Sequence, residues 1–105
     1  MKIVFHIDEL EKWPVAQGNL VNTLVVPNID MVVVVNGVAI TGYLQPEVQK
    51  FIAQYQSQIA FHACHNAMQA HDITADQLSK GVKVVPAGII DLVNLQNQGY
   101  RYIKP

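Results

Sequence analysis

The chain has 105 residues, half of them apolar and 14% charged, and a formal net charge of −1 from seven basic and eight acidic side chains. For this size, surface scaling gives roughly 5,900 Å² folded against about 17,000 Å² unfolded, which allows one core and a single domain over residues 1–105 and excludes a large one. The charges form no basic stripe for a nucleic-acid partner, and the longest apolar run, Met31 to Val35, falls far short of the roughly 20 residues of a membrane helix.

Lys2 to Ile7 (KIVFHI) is short and rich in β-formers and predicts a first strand. Asp8, Glu9 and Glu11 follow as a polar loop. Trp13-Pro14 opens a helix, because proline at the first helical position loses no hydrogen bond. Trp13, Ala16, Leu20 and Leu24 then recur at helical spacing. Gly18 weakens that helix or permits close packing on a sheet. After Pro27-Asn28, Asp30 to Val35 is an apolar run without alternation, the pattern of a strand covered on both faces. Asn36-Gly37 fits either a tight hairpin or a loop at the strand's carboxyl end, and the loop is the preferred reading. Pro46 starts a second helix with Val48, Phe51, Ile52 and Tyr55 on one stripe. Ile59 to Ala63 is a third strand and Cys64 to Ala70 a short helix. Thr74 and Gln77 have capping-box spacing. Val82 to Val85 is a fourth strand, Pro86-Ala87-Gly88 a tight turn, and Ile89, Ile90, Leu92, Val93 and Leu95 one helical apolar face. Gly99 is a C-terminal cap, and a last short strand follows from Tyr100.

Five strands interleaved with four helices predict a parallel sheet with helices on both faces. Ligands in such sheets bind at the carboxyl ends of strands. The loops there run from His6 to Glu11, Asn36 to Thr41, Cys64 to Asn66 and Pro86 to Gly88. Cys64 stands where the third strand hands over to a helix, so the free N–H groups of His65, Asn66 and Ala67 favour its thiolate. The alternative is a small buried hydrophobe. His62 shares the face of Cys64 if the strand persists, and His62, His65 or His6 are candidates to manage a proton. For His6 alone, a core-edge residue is the preferred reading. Asn36 and Asn66 would orient polar groups, although Asn66 reads also as a helix cap. Asp8 and Glu9 solvate their loop, His71 lies off the rim, and Tyr100 and Tyr102 serve packing or subunit contact.

A single cysteine excludes an internal disulfide and fits a reducing, cytoplasmic setting. The opening MKIVFHIDELEKW carries acidic residues and no long apolar run, so no signal peptide is expected. His62, Cys64 and His65 are close in sequence, but no metal-ligand spacing and no phosphate-binding glycine loop is present, so neither metal nor cofactor is expected. The low charged share also suggests an apolar face shared with a second copy.

The opening KIVFHIDELEKW, the VVVVNG of the second strand, the Ala63-Cys64-His65-Asn66 segment and above all the closing stretch Val84 to Pro105 resemble the DsrE/DsrF-like family of small α/β proteins. In related members a small hydroxyl residue commonly follows the asparagine, where this chain has Ala67. The resemblance implies a three-layer α/β/α sandwich with a mainly parallel five-stranded sheet. It implies self-association as dimers, trimers or hexamers, and a sulfur donor or acceptor protein as partner. Relatives in sulfur relay carry a persulfide on a cysteine at the end of the third strand, the position of Cys64. The other function class is a non-catalytic oligomeric binding or scaffold module in which Cys64 is structural.

Overall fold

The computed structural model describes all 105 residues. Its strands are β1 (Lys2–Ile7), β2 (Asp30–Val35), β3 (Ile59–Cys64), β4 (Val82–Val85) and β5 (Arg101–Ile103). Its helices are α1 (Trp13–Thr23), α2 (Pro46–Tyr55), α3 (His65–Ala70) and α4 (Gly88–Asn97). The sheet order is β4-β3-β2-β1-β5, and every neighbouring pair is parallel. This is the expected α/β/α sandwich.

The topology explains the layers. From β1 to β4 the chain steps steadily towards one edge, so right-handed crossovers put α1, α2 and α3 on the same face. After β4 it reverses, crosses to the far edge and lays β5 beside β1, and the same handedness puts α4 on the opposite face. The two faces are unequal. On the first, Phe5, Ile7, Met31, Val33, Val35 and Phe61 pack with Trp13, Leu20, Ile52 and Met68 in a cluster of 20 buried residues. On the second, Leu92 and Leu95 of α4 meet Val4, Val32 and Val34 in a cluster of five. Residues Met31 to Val35 are all buried, because β2 is the central strand and both its faces are covered.

Most predicted boundaries match the elements. Proline at the first turn starts both α1 and α2, and the Gln77 side chain accepts the Thr74 backbone N–H at 2.8 Å, one arm of the capping box. Asn36-Gly37 makes no hairpin. It leads into a 3-10 run, Gly37–Leu44, and Gly37 itself has φ +57 with the Asp8 carbonyl oxygen 3.0 Å from where a Cβ would stand. Glycine takes that backbone conformation without a steric penalty, and the nearby Asp8 carbonyl leaves little room for a side chain. Gly99 has φ +96. Tyr100 N–H donates to the Leu95 carbonyl and Gly99 N–H to that of Gln96, both at 3.0 Å, a Schellman closure of α4.

Four expectations change. The loop after β1 contains a 3-10 turn, Leu10–Lys12. Cys64 belongs to β3 and not to the helix: its backbone is extended and it pairs with Val85 of β4. Gly88 is the first residue of α4 and not part of a turn. The apolar residues of α4 do not form one buried face, since Ile89, Ile90 and Val93 remain 68%, 59% and 50% exposed while Leu92 and Leu95 are buried. One helix lying alone on a sheet presents only one stripe to it, and its other side is left to solvent. Gly18 meets nothing within 4 Å, so it serves no close packing. No helix is long and apolar enough to cross a membrane.

Candidate functional site around Cys64

At the carboxyl edge of the sheet, β2 and β3 run in register with Val35 opposite Ala63. One step further on, that register brings Asn36 beside Cys64. Since alternate residues of a strand share a face, Cys64 has the orientation of His62, towards α4. Helix α4 begins directly above this pair. A Cβ on Gly88 would stand 3.1 Å from the Asn36 Cβ, 3.4 Å from the Cys64 Cβ and 3.5 Å from the Asn36 Nδ2. The absence of a side chain at Gly88 is therefore what lets α4 start so close to the thiol.

These residues line an open cavity of about 300 Å³, completed by Asn66, Ala67, Ala70 and His71 from the α3 segment, Gly37 after β2, and Ala87 and Ile89 from the start of α4. Cys64 is the protein's only thiol. Only 5% of its surface is exposed, yet it contributes to the cavity wall. Its inner side packs with the larger core cluster, which also holds Ala67 and Met68. The thiol sits at the N-cap of α3.

The four histidines separate. His6 belongs to a hydrogen-bonded chain at the same edge: its Nε2 lies 2.8 Å from the Asn36 Oδ1, and its Nδ1 lies 2.6 Å from the Tyr102 hydroxyl. With an amide oxygen facing Nε2, the ring donates from Nε2, so Nδ1 accepts the Tyr102 O–H. The rings of His6 and Tyr102 also lie 5.6 Å apart. His62 is turned to α4, where its Nδ1 donates to the Asp91 Oδ2 at 2.7 Å, and both side chains are largely buried. Its backbone carbonyl accepts the Tyr43 hydroxyl at 2.8 Å, and complete burial drives that phenol's pKa well above its ordinary 10.0. His65 is exposed and lies outside the cavity wall, whereas His71, expected off the rim, lines it.

The chain's last residues close this edge. Lys104 Nζ donates to the Asp8 carboxylate. That hydrogen bond, assisted by the lysine's charge, holds the Asp8 carboxyl below its ordinary 3.8 against a smaller opposing effect of burial, and it raises the Lys104 ammonium. Together with Tyr102–His6, it ties β5 to the end of β1. Sequence reasoning found Cys64, Asn66, His6 and Asn36 as rim residues. It placed Gly88 in a rim loop but not as the opening residue of α4, and it missed Asp91 and the Tyr102–His6 contact, which nothing local marks.

The DsrE/DsrF-like family model matches residues 21–105. Among solved structures, the protein of unknown function MTH1491 from Methanobacterium thermoautotrophicum matches with a TM-score of 0.91 at 27% identity, over 99% of this chain and 98% of that one. The conserved protein of unknown function BT1422 from Bacteroides thetaiotaomicron matches with a TM-score of 0.69 at 17% identity, over 99% and 94% of the two chains. The second likeness is one of fold alone. No curated protein matches the chain.

Proposed function

This chain belongs to the DsrE/DsrF-like family, and from that footing we propose that Cys64 carries sulfane sulfur as a persulfide and hands it to an acceptor thiol. The observation that carries the reading is the position of the only thiol, at the carboxyl end of β3 on the wall of an open cavity of about 300 Å³. The Cys64 thiolate attacks the outer sulfur of a donor persulfide. A new S–S bond forms on Cys64, the donor's S–S bond breaks, and the donor leaves as its thiolate with the electron pair. An acceptor thiolate then attacks the outer sulfur and Cys64 departs as thiolate, so no net oxidation occurs. The donor is a low-molecular-weight or protein persulfide, and the acceptor is a low-molecular-weight or protein thiol.

The test is whole-protein mass after incubation with glutathione persulfide and removal of excess reagent. The expected result is the added mass of one sulfur atom on the wild type and none on Cys64→Ser. A wild type that gains no sulfur overturns the reading.

The near-complete burial of Cys64 among core residues favours a second reading, a binding or scaffold module in which the thiol only packs. The two differ in alkylation by iodoacetamide under native conditions. A carrier reacts through its cavity, whereas a packing thiol reacts no faster than the protein opens.

Self-association belongs to the same proposal. The sparse charge of the chain and the exposed Ile89, Ile90 and Val93 of α4 support a second copy as the cover of that helix. Sedimentation is expected to show an oligomer that Ile90→Lys with Val93→Lys dissociates. A monomer at all concentrations overturns it.

A further inference from the structure

The edge chain from Tyr102 through His6 to Asn36 ends in a donor that the fold leaves unspent. The Asn36 Oδ1 is taken by the His6 Nε2–H, and His6 is itself fixed by Tyr102. An amide whose oxygen is held cannot flip, so its nitrogen must point away from His6. That nitrogen stands in the gap under Gly88, 3.5 Å from the point where a Cβ would sit, with the Cys64 Cβ 3.4 Å from the same point. Asn36 and Cys64 both line the cavity. No side-chain or backbone acceptor takes the Nδ2 hydrogens.

We propose that Asn36 Nδ2 is the hydrogen-bond donor to anionic sulfur held at Cys64, and that His6 and Tyr102 are positioning residues that keep it aimed there. The proposal rests on the sulfur-carrier reading for the identity of the anion and adds the group that recognises it. The physical logic is preorganisation. A neutral amide contributes little charge, but one already oriented loses no rotamer freedom when the anion arrives. Tyr102, on the edge strand β5, is not among the residues lining the cavity, and it acts through His6. The chain also explains why residues 96 apart in sequence are joined at this edge: β5 returns to β1, and with it comes the hydroxyl that sets the histidine tautomer.

A double-mutant cycle tests the inference on Asn36→Ala, Tyr102→Phe and the combined variant. Each protein is loaded with glutathione persulfide, and the retention of sulfur on Cys64 is followed by mass. Loss of a hydrogen bond to a charged group predicts about tenfold poorer retention in Asn36→Ala. Tyr102→Phe keeps the ring and is expected to cost about threefold in the wild-type background, a part of that hydrogen bond, and nothing further once Asn36 is gone. A merely structural tyrosine would cost the same in both backgrounds, and that outcome overturns the proposal. An Asn36→Ala protein that retains sulfur like the wild type overturns it as well.

A second arm uses iodoacetamide and no sulfur donor. In the unloaded protein the anionic sulfur is Cys64 Sγ itself, one S–S bond nearer the strand, so Asn36→Ala is expected to slow alkylation several-fold, with Tyr102→Phe again silent in its background. If the wild type takes up no sulfur, the carrier reading fails and this arm still decides the role of Asn36. Unchanged alkylation in Asn36→Ala overturns it.

Discussion

Gly42→Ala is expected to destabilise the protein by about 3 kcal/mol, the upper end of the usual cost of overpacking a core. The new methyl carbon would stand 2.1 Å from the Trp13 Nε1, 2.4 Å from its Cδ1 and 2.9 Å from its Cε2. Three features stop the indole from yielding. Trp13 is only 1% exposed. Its N–H donates to the Ala39 carbonyl at 2.9 Å, and its ring meets Tyr43 edge-on at 5.3 Å. Moving it breaks a buried hydrogen bond and opens a void, and leaving it in place is sterically forbidden. Urea unfolding with an unchanged slope measures the cost. Gly18→Ala is the internal control. It lies in α1 with nothing within 4 Å, so the same chemical change there is expected to stabilise by about 0.5–1 kcal/mol through helix propensity. A Gly42→Ala midpoint indistinguishable from the wild type would contradict the packing described for Trp13.

The second large effect concerns access to Cys64. Gly88→Val puts three carbons into the gap that Asn36 and Cys64 share under the start of α4, where even a Cβ is 3.1 Å from one neighbour and 3.4 Å from the other. Two responses are open to the protein: the branched side chain fills the mouth of the cavity, or α4 lifts. The first keeps the five-residue core beneath α4 intact, at a strain of about 1–3 kcal/mol. A reagent then passes only if that side chain is displaced, and each 1.36 kcal/mol the displacement costs is about tenfold in rate. Alkylation of Cys64 by iodoacetamide is therefore expected to slow at least about tenfold, with Gly88→Ala in between. A faster reaction than in the wild type would show that the helix lifts, and equal rates would mean that reagents reach the sulfur from the α3 side.

The strands were legible because burial leaves a direct mark on composition. β1, β2 and β4 lie within the limits set by their apolar, β-branched runs, and the unbroken valines of β2 announce a strand covered twice. Helix starts were legible at Pro14 and Pro46 for an equally local reason, the proline's missing donor. The 3-10 run from Gly37 was legible only as an absence of hairpin, since its buried Ala39, Ile40 and Tyr43 carry no regular period. In α4 the pattern misled. Ile89, Ile90 and Val93 look like Leu92 and Leu95 in sequence, and only the position of the helix alone on one face separates them.

The candidate site divides in the same way. Cys64 and Asn66 could be placed from local order, strand end followed by helix start. The Tyr102–His6–Asn36 chain depends on β5 pairing with β1 and not with β4, a choice made by the crossover direction and invisible in any window of residues. His62 shows the limit of alternation arguments. Alternation puts it on the face of Cys64, but Asp91 from the helix above takes its Nδ1, which no strand pattern could announce.

Helix α4 carries two duties that chemistry would otherwise keep apart. Its buried leucines are the whole helical cover of one side of the sheet, and its first residue roofs the only sulfur nucleophile. A lid held by so few side chains lifts at a smaller free energy than the molecule as a whole. Transient undocking of that one helix would widen the path to the thiol beyond the standing cavity, and any molecule that clamps α4 would slow the sulfur from a distance without touching it.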